Sequence, residues 1–123
     1  MKESLVYTKA FRFAVKIVGL YKYLCKDQKE YVISKQILRS GTSIGANTKE
    51  AVQASSKRDF LMKINIALKE ASETDYWLQL LKETGYLDVK TYESMITDCN
   101  ELNKILSSIV KTTKENLKSE INK

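Results

Sequence analysis

An all-α fold, an antiparallel up-and-down four-helix bundle forming one domain over 1–123, is what this sequence predicts, on three observations. Proline is absent and glycine occurs only four times in 123 residues, so few positions force the backbone out of a helix. Apolar residues recur at alternating steps of three and four, the period of a helix face. Three short polar segments interrupt the pattern, and connections that short make consecutive helices antiparallel neighbours.

The first helix is expected over about 3–26, with Val6, Ala10, Phe13, Ile17, Leu20 and Leu24 as its core stripe. A second stripe, Tyr7, Phe11, Ala14, Val18, Tyr21 and Cys25, widens the apolar face beyond what one neighbouring helix covers. That width calls for a bundle interior, a partner subunit or both. Opposite lie Lys9, Arg12, Lys16 and Lys26, with Lys22 close by, as a basic ridge that is either a solvated face or an anion-binding one.

After the polar turn 26–30, a second helix is expected over about 31–54, burying Ile33, Ile37, Ile44, Ala51 and Ala54. Gly41 and Gly45 stand one turn apart on a stripe with Leu38 and Val52, where missing side chains let another helix come close; a glycine-rich loop is the alternative. Ser56, with Asp59 three residues on, resembles a capping arrangement that opens a third helix over about 57–84. It carries Phe60, Ile64, Ala67, Ala71, Leu78 and Leu81, and Gly85 suits a left-handed C-terminal cap. Asp88 is the N-cap candidate of a fourth helix over about 89–116, which buries Tyr92, Met95, Ile96, Cys99, Leu102, Leu106 and Ile109 and frays into a mixed-charge tail. Merging two of these helices would have to cross Ser55-Ser56 or Gly85, and nothing resembles the short helix and tight turn of a helix-turn-helix reader.

Composition bounds the function. With 43% apolar and 29% charged residues the chain is globular in character. No apolar run approaches the roughly 18 residues of a membrane span, and the Met-Lys-Glu-Ser start lacks a signal-peptide pattern, so a cytoplasmic protein with no membrane role is expected. Histidine is absent, which removes histidine-based acid–base catalysis, Ser-His-Asp and Cys-His nucleophiles and the usual zinc sites. Cys25 and Cys99, both on predicted apolar faces, read as buried free thiols more readily than as a disulfide. The net charge of +6 is unevenly placed: residues 1–40 hold nine Lys or Arg against three acids, whereas residues 41–123 hold twelve of each. Such asymmetry points to an anionic partner such as nucleic acid.

Few constellations carry chemistry. In Gly41-Thr42-Ser43-Ile44-Gly45 only three residues separate the glycines and Ala46-Asn47 follow, so the spacing and the Lys-Ser/Thr of a phosphate loop are both missing. Arg39, Ser43, Asn47 and Glu50 form one polar stripe on the second helix, and Glu70, Glu73 and Trp77 another on the third. A chain reversal near residue 56 sets Arg39 near Glu73 and Ser43 near Glu70, as a partly buried ion-pair and hydrogen-bond network that fixes helix register. Paired carboxylates also suit acid–base or di-metal chemistry, but bundle di-iron sites draw on Glu-x-x-His pairs that this chain cannot supply. No cofactor, metal or small-molecule substrate is expected. Among the aromatic residues Tyr23, on the basic side of the first helix, is the one fair candidate for stacking on a base.

The run Leu38-Arg39-Ser40-Gly41-Thr42-Ser43-Ile44-Gly45-Ala46-Asn47 with Glu50-Ala51 resembles the small bacterial "four helix bundle protein" family, also called the 23S rRNA intervening-sequence protein family. Ala67-Leu68-Lys69-Glu70-Ala71-Ser72-Glu73-Thr74, Trp77-Leu78 and Leu80-Leu81 before Gly85-Tyr86 match its other signature, and the likeness covers nearly the whole chain. Many relatives have proline where Gly45 stands. The resemblance implies an antiparallel four-helix bundle with an unbroken second helix, no enzymatic activity, and a ring-forming homopentamer whose basic surface contacts nucleic acid. An accessory protein of diversity-generating retroelements is a related case. No binding residues carry over from the family.

Three functional readings therefore stand. The first is a cyclic oligomer that binds RNA or DNA through Lys9, Arg12, Lys16, Lys22 and Lys26; the second is a scaffold for other proteins; the third, an enzyme, has only the Arg39, Glu70 and Glu73 set to offer.

Overall fold

The structure, a computed structural model, describes residues 2–121, with side chains from Leu5 onward. Four helices follow one another: α1 (Lys2–Lys26), α2 (Ile33–Val52), α3 (Lys57–Glu83) and α4 (Val89–Ile121). The described residues contain no strand. Each helix packs on its sequence neighbours, α4 closes back on α1 along a sparser seam, and the diagonal pairs do not approach each other. This is the antiparallel up-and-down arrangement.

Local signals set the boundaries. Lys29 takes a left-handed conformation (φ 55°), turning the chain so that the buried Glu30 carboxylate accepts the amides of Val32, Ile33 and Ser34 at 3.2, 3.1 and 2.7 Å. That side chain satisfies three of the donors a helix start leaves open, and α2 begins at Ile33 rather than near residue 31. At its other end α2 stops at Val52, and Gln53 and Ala54 close in turn hydrogen bonds. Ser56 Oγ accepts from the Asp59 amide at 3.0 Å and starts α3. Gly85 (φ 85°) ends it: the amides of Gly85 and Tyr86 return to the carbonyls of Lys82 and Leu81, a Schellman closure. Asp88 Oδ1 then accepts the Thr91 amide at 2.6 Å and caps α4. α4 continues to Ile121, five residues past the expected fray, and Glu120 in its last turn pairs with Lys57 of α3.

All six residues of the first α1 stripe are buried, together with Ile37, Ile44, Ala51, Ile64, Ala67, Ala71, Leu78, Leu81 and the inner face of α4. Ile33, Ala54, Phe60 and Tyr92, expected inside, are only half-buried, since they sit in turns or terminal turns where one neighbouring helix has ended. Tyr92 places its ring under Lys82 Nζ, 4.6 Å from the centroid. Two hydroxyl side chains enter the core as a pair, Thr74 Oγ1 donating to Ser40 Oγ at 2.9 Å.

α2 passes through Gly41 and Gly45 without a break. A Cβ on Gly41 would lie 2.7 to 2.9 Å from three atoms of Ile17, and one on Gly45 would lie 3.5 Å from the Ala10 carbonyl oxygen. The missing side chain of Gly41 is what lets α1 lie this close, whereas a Cβ on Gly45 would make only ordinary van der Waals contact.

Candidate nucleic-acid interface

The five cations of the expected ridge do not form one surface. Lys9 and Lys16 sit at the seam with α4. Lys9 Nζ donates to Glu101 Oε1 at 2.9 Å, and Lys16 Nζ donates to Asp98 Oδ2 and, at 2.9 Å, to Ser94 Oγ. Arg12 stands between them over a shallow recess floored by Phe13 and Leu102. At about 100° per residue Lys22 lies about 120° around the helix from Lys16, past Lys26, on the outward face of α1. Arg12, Lys22 and Lys26 are exposed and form no ion pair among the described residues. Two of the five charges are thus matched by α4, and three are left for solvent or a partner.

Tyr23 has neighbours that sequence reasoning missed. It lines a groove of about 490 Å³ between α1 and α4, with Leu20 and Met95 as apolar floor and Lys16 and Lys90 beside it. Gly19 also lines the groove, and a Cβ there would meet nothing within 4 Å. The Tyr23 hydroxyl accepts from Gln28 Nε2 at 2.7 Å, which holds the ring at the rim. Lys16 is already held by Asp98 and Asp88 lines the groove too, so Lys90 is the cation left beside the ring, and an aromatic face next to an ammonium group can stack a base while the cation faces phosphate. Lys90 was not foreseeable from α1, as it arrives from the first turn of α4.

Beside the cations, α1 leaves part of its second stripe uncovered. Of that stripe Phe11 (56%) and Val18 are exposed, while Tyr7, Ala14, Tyr21 and Cys25 are half-buried; Val15, outside the stripe but beside it, is 59% exposed. The Tyr7 and Phe11 rings lie 6.3 Å apart, so the strip is continuous along the helix.

The polar stripes of α2 and α3 meet in part. Arg39 donates to Glu70 Oε2 at 2.6 Å and to Glu73 Oε2, which also accepts from Trp77 Nε1 at 2.9 Å. The Trp77 hydrogen bond, against the opposing pull of burial and with help from Arg39, holds the Glu73 carboxyl below its usual pKa. Glu73, then Glu70, raise that of Arg39. Ser43 and Asn47 bond within α2, to the carbonyls of Arg39 and Ser43 at 2.6 and 2.9 Å, and Glu50 pairs separately with Lys63 at 3.0 Å. The cross-helix cluster is therefore Arg39, Glu70, Glu73 and Trp77. Its charged groups pair with one another across α2 and α3, which suits registration of the two helices.

Cys25 and Cys99 are free, donating to Ser34 Oγ and the Ala71 carbonyl. Burial pushes the Cys99 thiol up to about 12, with Asp75 and Asp98 adding to it. Among the described residues no cluster of Cys, Asp or Glu is placed to hold a metal ion, and no helix is long and apolar enough to cross a membrane.

Comparison with curated proteins finds no match. A solved structure described as a protein with unknown function from the S23 ribosomal protein family of Bacteroides thetaiotaomicron VPI-5482 is 59% identical, covering 90% of this chain and 99% of that one with a TM-score of 0.88. The model of the 23S rRNA-intervening sequence protein family matches residues 2–108, all of α1 to α3 and about three fifths of α4. With the family's signature runs lying on the two helices that Arg39 ties together, the chain belongs to the 23S rRNA-intervening sequence protein family.

Proposed function

We propose that the protein is a non-enzymatic, self-associating bundle that binds nucleic acid on the surface around α1. The observation that carries this reading is the composition of that helix's outer face: unpaired Arg12, Lys22 and Lys26 border an uncovered strip of Phe11, Val15 and Val18. The strip supports assembly, because continuous exposed apolar surface on a soluble domain marks a contact surface. The cations support phosphate binding, and the groove at Tyr23 adds a place for one unstacked base. A cyclic oligomer, the pentamer that the family likeness suggests, would repeat this weak site around a ring and raise avidity without a new contact. RNA fits better than duplex DNA, since a base must be free to stack on Tyr23.

The test is retention of a single-stranded RNA oligonucleotide across a salt series, comparing wild type with Arg12→Glu/Lys22→Glu/Lys26→Glu. The wild type should weaken steeply with salt, and the variant should lose most affinity and flatten the slope by roughly one per phosphate contact removed. Equal binding and equal slopes would refute the reading. Lys16→Glu is a poor probe, because it also sets two acids together against Asp98.

The same strip supports a second reading, a scaffold that docks another protein on α1. Light scattering of Phe11→Glu separates the two. Loss of self-association assigns the strip to assembly, and an unchanged oligomer leaves it free for a foreign partner.

A further inference from the structure

The last turns of α4, residues 109–121, lie beyond the segment that the family model matches. With the first turns of α3 they wall a groove of about 470 Å³ at the end of the bundle. Leu61, Met62, Leu117 and Ile121 form its apolar lining, and Met62 and Ile121 are 53% and 69% exposed. Arg58, Lys114 and Lys118 line it as well and form no ion pair among the described residues. The adjacent Glu120 is taken by Lys57. The groove is therefore apolar between cations that pair with no acid among the described residues.

We propose that this groove docks an acidic amphipathic helix of a partner protein, its apolar side chains against Leu61, Met62, Leu117 and Ile121 and its carboxylates toward Arg58, Lys114 and Lys118. Charge and shape select that occupant. A phosphate chain would satisfy the three cations but leave the apolar lining wet. A twofold contact with a second copy would bring the same cations face to face. A helix laid in a groove presents apolar anchors at i, i+3, i+4 and i+7, and acids flanking that stripe meet basic rims. Lys114 to Ile121 spans two turns of α4, about 10 Å, which seats a pair of anchors one turn apart.

The experiment uses the full chain and a fluorescein-labelled designed peptide of about five turns, or 18 residues, with leucines at that spacing and glutamates on both flanks. Fluorescence anisotropy should show saturable binding, weakened about tenfold or more by Lys114→Glu/Lys118→Glu and by Ile121→Asp. Both variants change exposed residues and should keep wild-type helicity and Tm, and a peptide with lysines in place of the glutamates should not bind. Arg12→Glu/Lys22→Glu/Lys26→Glu should bind the peptide as wild type does, which separates this groove from the α1 surface. The proposal is overturned if the glutamate and lysine peptides bind alike or the groove variants change nothing. It is equally overturned if RNA, phosphatidylserine vesicles or a second copy of the chain depends on Lys114 and Lys118 while the peptide does not bind.

Discussion

Gly41→Ala measures how tightly α1 and α2 are held together. The added Cβ would lie 2.7, 2.8 and 2.9 Å from Cγ1, Cδ1 and Cγ2 of Ile17, distances at which something must move. Ile17 is fully buried in mid-helix, and a β-branched side chain there has one strongly preferred χ1 rotamer, so it cannot swing clear. Either the side chain leaves its rotamer or the helices part, and such overpacking costs about 1–3 kcal/mol. Replacing glycine by alanine inside a helix returns about 0.5–1 kcal/mol, leaving a net loss of about 0–2.5 kcal/mol, centred near 1 kcal/mol. Gly19→Ala in mid-α1 is the matched control: its Cβ meets nothing within 4 Å, so only the gain of about 0.5–1 kcal/mol remains. Urea unfolding, with slopes of about 1–3 kcal/mol/M, should place the two midpoints about 1 M apart on opposite sides of wild type. Ile17→Ala removes all three clashing atoms, so its cost should be smaller in the Gly41→Ala background than alone, by about 1 kcal/mol or more of coupling. If Gly41→Ala matches Gly19→Ala, the close approach of the two helices is not what the glycine serves.

Other outcomes follow from single groups. Glu30→Gln should destabilise by about 1–2 kcal/mol at neutral pH, since it weakens the acceptor of three amides at the start of α2. Burial works to raise the Glu30 pKa, but the amides of Ser34, Ile33 and Val32 together hold it below the ordinary 4.5. A lowered folded pKa means this stability is present above 4.5 and is lost as pH falls through the folded value, so wild-type and variant unfolding midpoints should converge on acidification. Arg39→Met should cost only about 0.5–1 kcal/mol, because the arginine side chain is 51% exposed and solvent screens its pairs; the difference should shrink in high-salt urea titrations. Maleimide at neutral pH should modify the half-exposed Cys25 in the native protein and reach the buried Cys99 only on unfolding, as counted by mass spectrometry.

Helix number, order and core were legible because they rest on local chemistry: Ser56 and Asp88 accept amides at their helix starts, Gly85 takes the left-handed turn, and the first α1 stripe is buried throughout. What was not legible depends on which side chains other helices bring near. Glu30 looks like one more charge in a polar turn, and only the left-handed Lys29 folds it back over the start of α2. Its signal in the sequence was an acid a few residues before Ile33, which was available but lay outside the usual N-cap spacing. Ser43 was expected beside Glu70 from a single register sum, whereas its hydroxyl reaches only the Arg39 carbonyl one turn back. The interhelical hydroxyl pair is instead Ser40 with Thr74, on the core side of the same two helices.

Charge shows the same limit and moves the functional surface. By sequence the excess of +6 lies within residues 1–40 and the remainder is neutral, which singles out α1. Folding redistributes that balance, because Asp98 and Glu101 come from the neutral remainder and settle on Lys16 and Lys9. Each acid spent on α1 is one fewer to offset the cations of α3 and α4, and Glu120 is likewise held by Lys57. Among the described residues Arg58, Lys114 and Lys118 are left without an ion pair, although the stretch they belong to has a summed charge of zero. Among the cations that no acid takes, one group lies beside an apolar strip and another around an apolar groove. In both, the uncovered apolar surface sets the kind of partner that the charge can hold.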